Sequence, residues 1–330
     1  MPGVSGRIPR HLFLPLPRPG RAAGGARRVG VEIEFGGLAE ARAAAILAEA
    51  LGGRVREASR HELVVEGSEI GDIDVYLDTA FRDEAGTLVG DLGLDLGRVV
   101  VPVEAVTEPL APAALPALQR GADALRAAGA SGSRDGLLLG FGLHLNPELA
   151  ATEAAHVVPV VRSFALLEDW LRNADPIDAA RRVLPFVSPY PRHFVDRLAA
   201  EAAHWDLAAF IEAYLDETPT RNRGLDMLPV IRHLDEARLL RAIPEAGAIS
   251  ARPAFHYRLP DSRIDEDGWT LAYEWNRWVM VERLAADSDR LETLARDWRE
   301  YRKDPLTIRA DWRRHVERAL DSWRLWTQSP

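Results

Sequence analysis

Apolar and polar residues alternate along the segment Val29-Gly-Val-Glu-Ile-Glu-Phe35. At the two-residue period of a strand, Val29, Val31, Ile33 and Phe35 share one face, and Gly30, Glu32, Glu34 and Gly36 share the other. One face is core, and the other carries two carboxylates about 7 Å apart between glycines. The same division is expected at 98–106, a β-branched run, at 137–146, and at 252–259. In the second of these His144 and Asn146 oppose Phe141, Leu143 and Leu145; in the third Ala254, His256 and Arg258 oppose Phe255, Tyr257 and Leu259. Shorter strands are predicted at 54–58, 62–66 and 70–78, the last with Asp74, Tyr76 and Asp78 alternating with Ile73, Val75 and Leu77. Pro102 cannot donate to a ladder, which suggests an edge or a bulge there.

Helical periodicity predicts helices at 38–51, stopped by Gly52-Gly53, and at 113–128, 153–173, 191–203 and 207–216. Three more follow at 269–286, 290–302 and 308–326, holding seven of the nine tryptophans, a stripe that reads as interhelical packing. Loops are expected at 129–136, 185–191 and 218–229. Residues 1–28 are rich in Pro, Arg and Gly, and their apolar patch at 12–16 is broken by Pro15, so they read as a flexible tail and not as a signal peptide, with a cytoplasmic protein as the expectation. Strands interrupted by single helices and followed by a helical third predict an α+β fold with a mostly antiparallel sheet. One domain is expected over 29–330, with a helical insertion at 147–226 and C-terminal helices over 268–327.

Composition narrows the chemistry. A 47% hydrophobic, 28% charged chain of 330 residues is that of a soluble globular protein, and no apolar run is long enough to span a membrane. A net charge of −9 leaves no basic excess for nucleic-acid binding. Lys303 is the only lysine, so any phosphate or carboxylate clamp would be built from arginine forks. The absence of cysteine removes thiol catalysis and thiolate metal sites. There is no phosphate-binding Gly-x-x-x-x-Gly-Lys-Ser/Thr loop, no Gly-x-Ser-x-Gly elbow and no His-Glu-x-x-His helix, and Gly140-Phe141-Gly142 sits in a strand candidate instead of opening a helix.

What remains is a set of strands presenting Glu32, Glu34, Glu104, His144, His256 and Arg258 opposite apolar faces. Carboxylates with one or two imidazoles suit magnesium or manganese, and nearby guanidinium groups suit the phosphates such a metal carries. Other readings stay open for individual residues. Glu32 and Glu34 on a water-facing edge strand, a solvated Glu104, a hydrogen-bonded core His144, and an Arg258 paired with Asp261 or Asp265 are structural alternatives. Asp72, Asp74 and Asp78 read as a solvated face, Glu108 before Pro109 as a strand exit, and Glu274 and Asn276 as packing or capping residues of a helix.

The ordered set Val29-Gly-Val-Glu-Ile-Glu-Phe35, Pro102-Val-Glu-Ala-Val-Thr-Glu-Pro-Leu110, Gly142-Leu-His-Leu-Asn146 and Phe255-His-Tyr-Arg258 resembles the motifs of the amidoligase family, a branch of the carboxylate–amine ligases related to glutamine synthetase and glutamate–cysteine ligase. The resemblance implies an antiparallel sheet of the glutamine-synthetase-like catalytic type, with ATP and magnesium (or manganese) on its concave face. It also implies formation of an amide from a carboxylate and an amine through an acyl phosphate. Carried onto this chain, Glu32, Glu34, Glu104 and His144 would be metal ligands, with His256 joining them, and Arg258 would face the transferred phosphoryl group. Arg223, in the loop Arg221-Asn-Arg-Gly-Leu-Asp226, would bind phosphate or a substrate carboxylate, and Glu104, Asn146, Arg252 and Arg258 would form the nucleotide site. His256 stands where the family usually has Glu. The substrates are expected to be a carboxylate and an amine, one of them carried on a peptide or a cell-surface precursor, and the tryptophan-bearing helices offer a surface for self-association. A non-catalytic relative that binds a partner through those helices, or a metal-dependent hydrolase, are the alternatives.

Overall fold

A computed structural model describes residues 3–77, 101–133, 140–175 and 187–327. Among the described residues eight strands form one sheet: β1 (Val29–Phe35), β2 (Arg54–Ser59), β3 (Glu62–Ser68), β4 (Gly71–Leu77), β5 (Val103–Thr107), β6 (Leu143–Pro147), β7 (Leu225–Asp226) and β8 (His256–Tyr257). Their order is β2-β3-β4-β5-β1-β6-β8-β7, with antiparallel ladders throughout. The helices are α1 (Glu40–Leu51), α2 (Leu115–Ala127), α3 (Ala154–Ala174), α4 (Arg192–Ala200), α5 (Leu207–Glu217), α6 (Leu228–Ala242), α7 (Leu271–Ala286), α8 (Ser288–Tyr301) and α9 (Arg309–Trp323). The fold is therefore α+β with an antiparallel sheet. Among the described residues no helix is long and apolar enough to cross a membrane.

β1 is internal, between β5 and β6, which disposes of the edge-strand reading of its two acids. Its apolar side chains Val29, Val31, Ile33 and Phe35 are buried in the main core, which also takes in Val65 and Ile73 of the outer strands and the inner faces of the helices. α1 lies over β2 to β4 with α2 beside it. At the other end of the sheet Trp278 of α7 packs on Phe255 and Tyr257, with ring centroids 5.3 Å apart in both pairs. Trp275, Trp278, Trp298 and Trp312 are buried, so these helices spend their indoles on the interior, as the stripe predicted.

Four expectations change. Residues 3–28 are not a free tail: Val4, Ile8, Leu14 and Leu16 are buried, and Asn276 of α7 accepts from the Leu14 N–H and donates to the Pro9 and Leu12 carbonyls. Just before β1, Arg27 is fully buried and forks onto Glu282 of α7 at 2.6 and 2.7 Å. The Pro/Arg/Gly composition hid this because the apolar anchors are spaced singly, without the period of any regular element. Pro102 lies just before β5, so its missing N–H costs no ladder bond and β5 is internal. The last strand shrinks to His256–Tyr257, because Pro253 and Pro260 bracket it and cannot donate. Finally, α6 lies where no helix was expected. Asp235 breaks its φ/ψ, at −154° and 76°, and no single apolar stripe runs through both halves. Asp78, 98–100, 134–139 and 185–186 lie outside the described residues.

Candidate functional site

Register places the polar side chains. Glu34 pairs with Glu104 across β1–β5, and Glu32 pairs with His144, as Gly30 does with Asn146, across β1–β6. Directly paired residues point to the same face, so these five side chains share the face opposite the core. Tyr76 pairs with Glu104 across β4–β5, and Asp226 with His256 across β7–β8, which brings both onto the same face. Gly36 and Gly37 do not clear space for a ligand there. A Cβ on Gly36 would stand 3.1 Å from the Phe141 ring, and Gly37 has φ +78° with the Gly129 carbonyl oxygen 2.4 Å from an added Cβ, so this pair makes a tight exit from β1.

The side chains converge in two groups. Glu32, His144 and His256 have ligand atoms within 4.8 Å of one another, and so do Glu34, Glu104 and His144. His144 joins the two: its Nδ1 is 2.8 Å from Glu32 Oε2 and its Nε2 is 3.5 Å from Glu34 Oε1. Asn146 donates to the second Glu32 oxygen at 2.8 Å, and the Gly142 N–H donates to Glu34 at 2.7 Å. His256 stands edge-on to His144 with ring centroids 5.4 Å apart. Behind it, Nδ1 is 3.2 Å from Asp226 Oδ2, and Asp226 is fully buried.

Burial by itself would raise the Glu32 carboxyl, but the hydrogen bond and electrostatic pull of His144, with the Asn146 amide, hold it well below the usual carboxylate range. Burial pushes His256 down to about 4, against the opposing pull of Asp226 and Glu32. Asp226 is lowered in spite of its burial by its hydrogen bond to His256 and by Arg221 and Arg258. At neutral pH the pair is thus a neutral imidazole donating Nδ1–H to a carboxylate, since an ionised carboxylate only accepts.

The floor opens into a cavity of about 240 Å³ lined by Glu32, Glu104, Asn146 and His256 with Tyr76, Arg221 and Arg252. Pro229, Ile249 and Ala254 add apolar wall. Arg252 Nη1 is 3.7 Å from Glu32 Oε1 and its side chain is more than half exposed. Of the residues expected from the motifs, Glu32, Glu34, Glu104, His144, Asn146, Arg252 and His256 are brought together. Arg258 Nη1 donates to the Arg221 carbonyl. Arg223 turns away, donating to Thr218 Oγ1 and to the Pro189 carbonyl, and Arg221 takes the place beside the cavity, bonded to Asp226 at 3.1 Å. Asp72 accepts from the Gly67 N–H, and Glu108 lies against Gly71, both apart from the two ligand groups.

Motif reading missed Tyr76, Arg221 and Asp226. Tyr76 carried a signal, its alternation with Val75 and Leu77, but not the strand order that sets β4 beside β5. Asp226 sits in a two-residue strand, too short for any period to show.

A hard divalent cation fits this donor set: carboxylate oxygens and imidazole nitrogens, no thiolate, and each group small enough to close on one ion. No curated protein and no solved structure matches the chain. A family described as "Putative amidoligase enzyme" matches residues 25–280. That span takes in every strand of the site from β1 to β8 and ends inside α7, and the chain belongs to this amidoligase family.

Proposed function

We propose that this protein is an ATP- and magnesium-dependent ligase that joins a carboxylate to an amine, on a sheet of the glutamine-synthetase-like type. The observation that carries the reading is the pair of three-residue ligand groups sharing His144, of which Glu32, Glu104 and His256 line one cavity, inside the span matched by an amidoligase family. A hydrolase built on the same acids would release product without consuming ATP, so nucleotide dependence separates the two readings.

Glu34, Glu104 and His144 would hold one magnesium or manganese ion, and Glu32 with His256 another. Bound metal would supply charge neutralisation for the phosphates of ATP. In the reaction a substrate carboxylate oxygen attacks the γ-phosphorus and ADP leaves. The amine then attacks the acyl carbon, its proton is lost, and phosphate departs with one of the original carboxylate oxygens.

The chain's own residues position these partners. Arg252 and Arg221 present guanidinium groups to the cavity, suited to phosphate oxygens or a substrate carboxylate. Arg258, on the face shared with His256 and braced on the Arg221 carbonyl, is the group assigned to the transferred phosphoryl. Asn146 holds Glu32 in one orientation, and the Gly142 N–H does the same for Glu34, so two acids are aimed before any ligand arrives.

The test is ADP formation by the purified protein with ATP, magnesium and a broad panel of carboxylates and amines, peptides included, alongside calorimetric titration with ATP. Amine-dependent ADP release with amide formation is expected. ADP at background across the panel together with no ATP binding would overturn the reading.

A further inference from the structure

The two ligand groups are unequal in charge. Glu34, Glu104 and His144 contain two carboxylates, whereas Glu32, His144 and His256 contain one. A divalent cation bound by one carboxylate and neutral imidazole keeps more of its charge uncompensated than one bound by two carboxylates, and Mg2+ and Mn2+ favour oxygen-rich, anionic surroundings. A further carboxylate stands behind His256, that of Asp226. It is fully buried, sits opposite His256 in the β7–β8 register, and its Oδ2 is 3.2 Å from His256 Nδ1. Its other oxygen accepts from the Leu228 N–H at 3.0 Å, at the start of α6, which fixes the carboxylate plane.

We propose that Asp226 is a positioning residue for the metal group around Glu32, locking His256 with its Nδ1–H inward so that Nε2 is the nitrogen offered to the cation. The inference rests on the ligase reading above, and it assigns a role to a residue that touches neither substrate nor metal. Two features make it specific. An imidazole has one acceptor nitrogen when neutral, and a carboxylate behind it selects which one. A carboxylate hydrogen-bonded to a ligating histidine also raises the basicity of the ligating nitrogen, the way outer ligands tune metal sites in general. Arg221 bonds the same Oδ2 at 3.1 Å and lines the cavity. Asp226 therefore also ties a cavity arginine to the histidine.

The experiment is Mn2+ binding to the full chain without nucleotide, followed by loss of the free-ion EPR signal, for the wild type, Asp226→Asn, His256→Glu and the double variant. Asparagine keeps the size of the side chain and the acceptor for the Leu228 N–H. Asp226→Asn is expected to weaken one class of Mn2+ site about 10- to 100-fold and leave the other unchanged. In the His256→Glu background, where a carboxylate sits directly in the group, Asp226→Asn is expected to cost nothing. A change of less than twofold from Asp226→Asn, or an equal loss in both backgrounds, would overturn the proposal, the second result marking Asp226 as support for the fold alone. Nitrogen-15 NMR of the wild-type histidines gives a check that needs no variant: His256 is expected as the neutral tautomer with its proton on Nδ1, and a proton on Nε2 would refute the assignment. A wild-type protein that binds no Mn2+ would remove the ligase reading itself, a failure distinct from the loss of Asp226's role alone.

Discussion

Acid should unfold this protein sooner than its carboxylates alone would dictate, and His156 is the reason. The ring is buried against Phe255, with centroids 6.0 Å apart, and its Nε2 accepts from the Ala150 N–H at 3.1 Å. An accepting nitrogen has no room for a proton. Burial, with the positive charges of Arg27 and Arg18, pushes His156 down to about 4 from an ordinary value of 6.5. The sign follows from linkage: the unfolded chain takes up a proton near pH 6.5 while the folded one resists until about pH 4, so stability present above pH 6.5 is lost as pH falls through that window. At about 1.4 kcal/mol per unit of separation, a drop from pH 7 to 4.5 removes about 2–3 kcal/mol through this residue, a large share of a typical stability of about 5–15 kcal/mol. His156→Gln keeps an acceptor near the Nε2 position and does not titrate. Urea unfolding followed by circular dichroism at pH 7 and 4.5 should show the wild type losing about 2–3 kcal/mol more than the variant. Equal pH dependence of the two proteins would refute the reasoning, and would mean that the folded site accepts the proton by local opening.

Three further outcomes can be measured on the same preparation. Glu34→Ala and Glu32→Ala should each lower ADP formation by about 100-fold or more while the urea midpoint stays within reach of the wild type, because outer-sphere losses alone cost about 10- to 100-fold; full activity in either would exclude that group from catalysis. Asn276→Leu strips partners from one buried N–H and two part-buried carbonyls of the N-terminal segment, and is expected to cost about 3 kcal/mol and to speed proteolysis within residues 3–20. A loss near zero would mean that Val4, Ile8, Leu14 and Leu16 hold the segment by packing alone. Glu282→Leu leaves the Arg27 guanidinium buried without its carboxylate and should cost about 3–5 kcal/mol, read as a shift of the urea midpoint at constant slope.

The residues themselves settle a good deal. The two-residue alternation of β1 states which side chains face the core and which the opposite side, and the structure keeps that division from Val29 to Phe35 because a strand leaves no other choice once one face is buried. The helices α1, α2, α3, α5, α7 and α8 lie within a few residues of where apolar periodicity places them, and the tryptophans face inward as a stripe at that spacing must. The grouping of acids and imidazoles was also legible: Glu32, Glu34, Glu104, His144 and His256 each stand opposite an apolar face, and the structure brings their ligand atoms within 4.8 Å of one another in two groups.

Tertiary structure alone decided the rest, mostly through contacts between residues far apart in the chain. Strand order makes β1 internal and sets Tyr76 beside Glu104, which no local pattern encodes. Arg223 is held away from the cavity by its bonds to Thr218 and the Pro189 carbonyl, while Arg221 lines it, a choice that loop composition does not make. The N-terminal segment is ordered by Asn276 and Glu282, more than two hundred residues later, through hydrogen bonds and an ion pair that have no sequence period. Asp226 completes the pattern: an acid in a two-residue strand becomes the neighbour of His256 only when β7 pairs with β8 at the edge of the sheet.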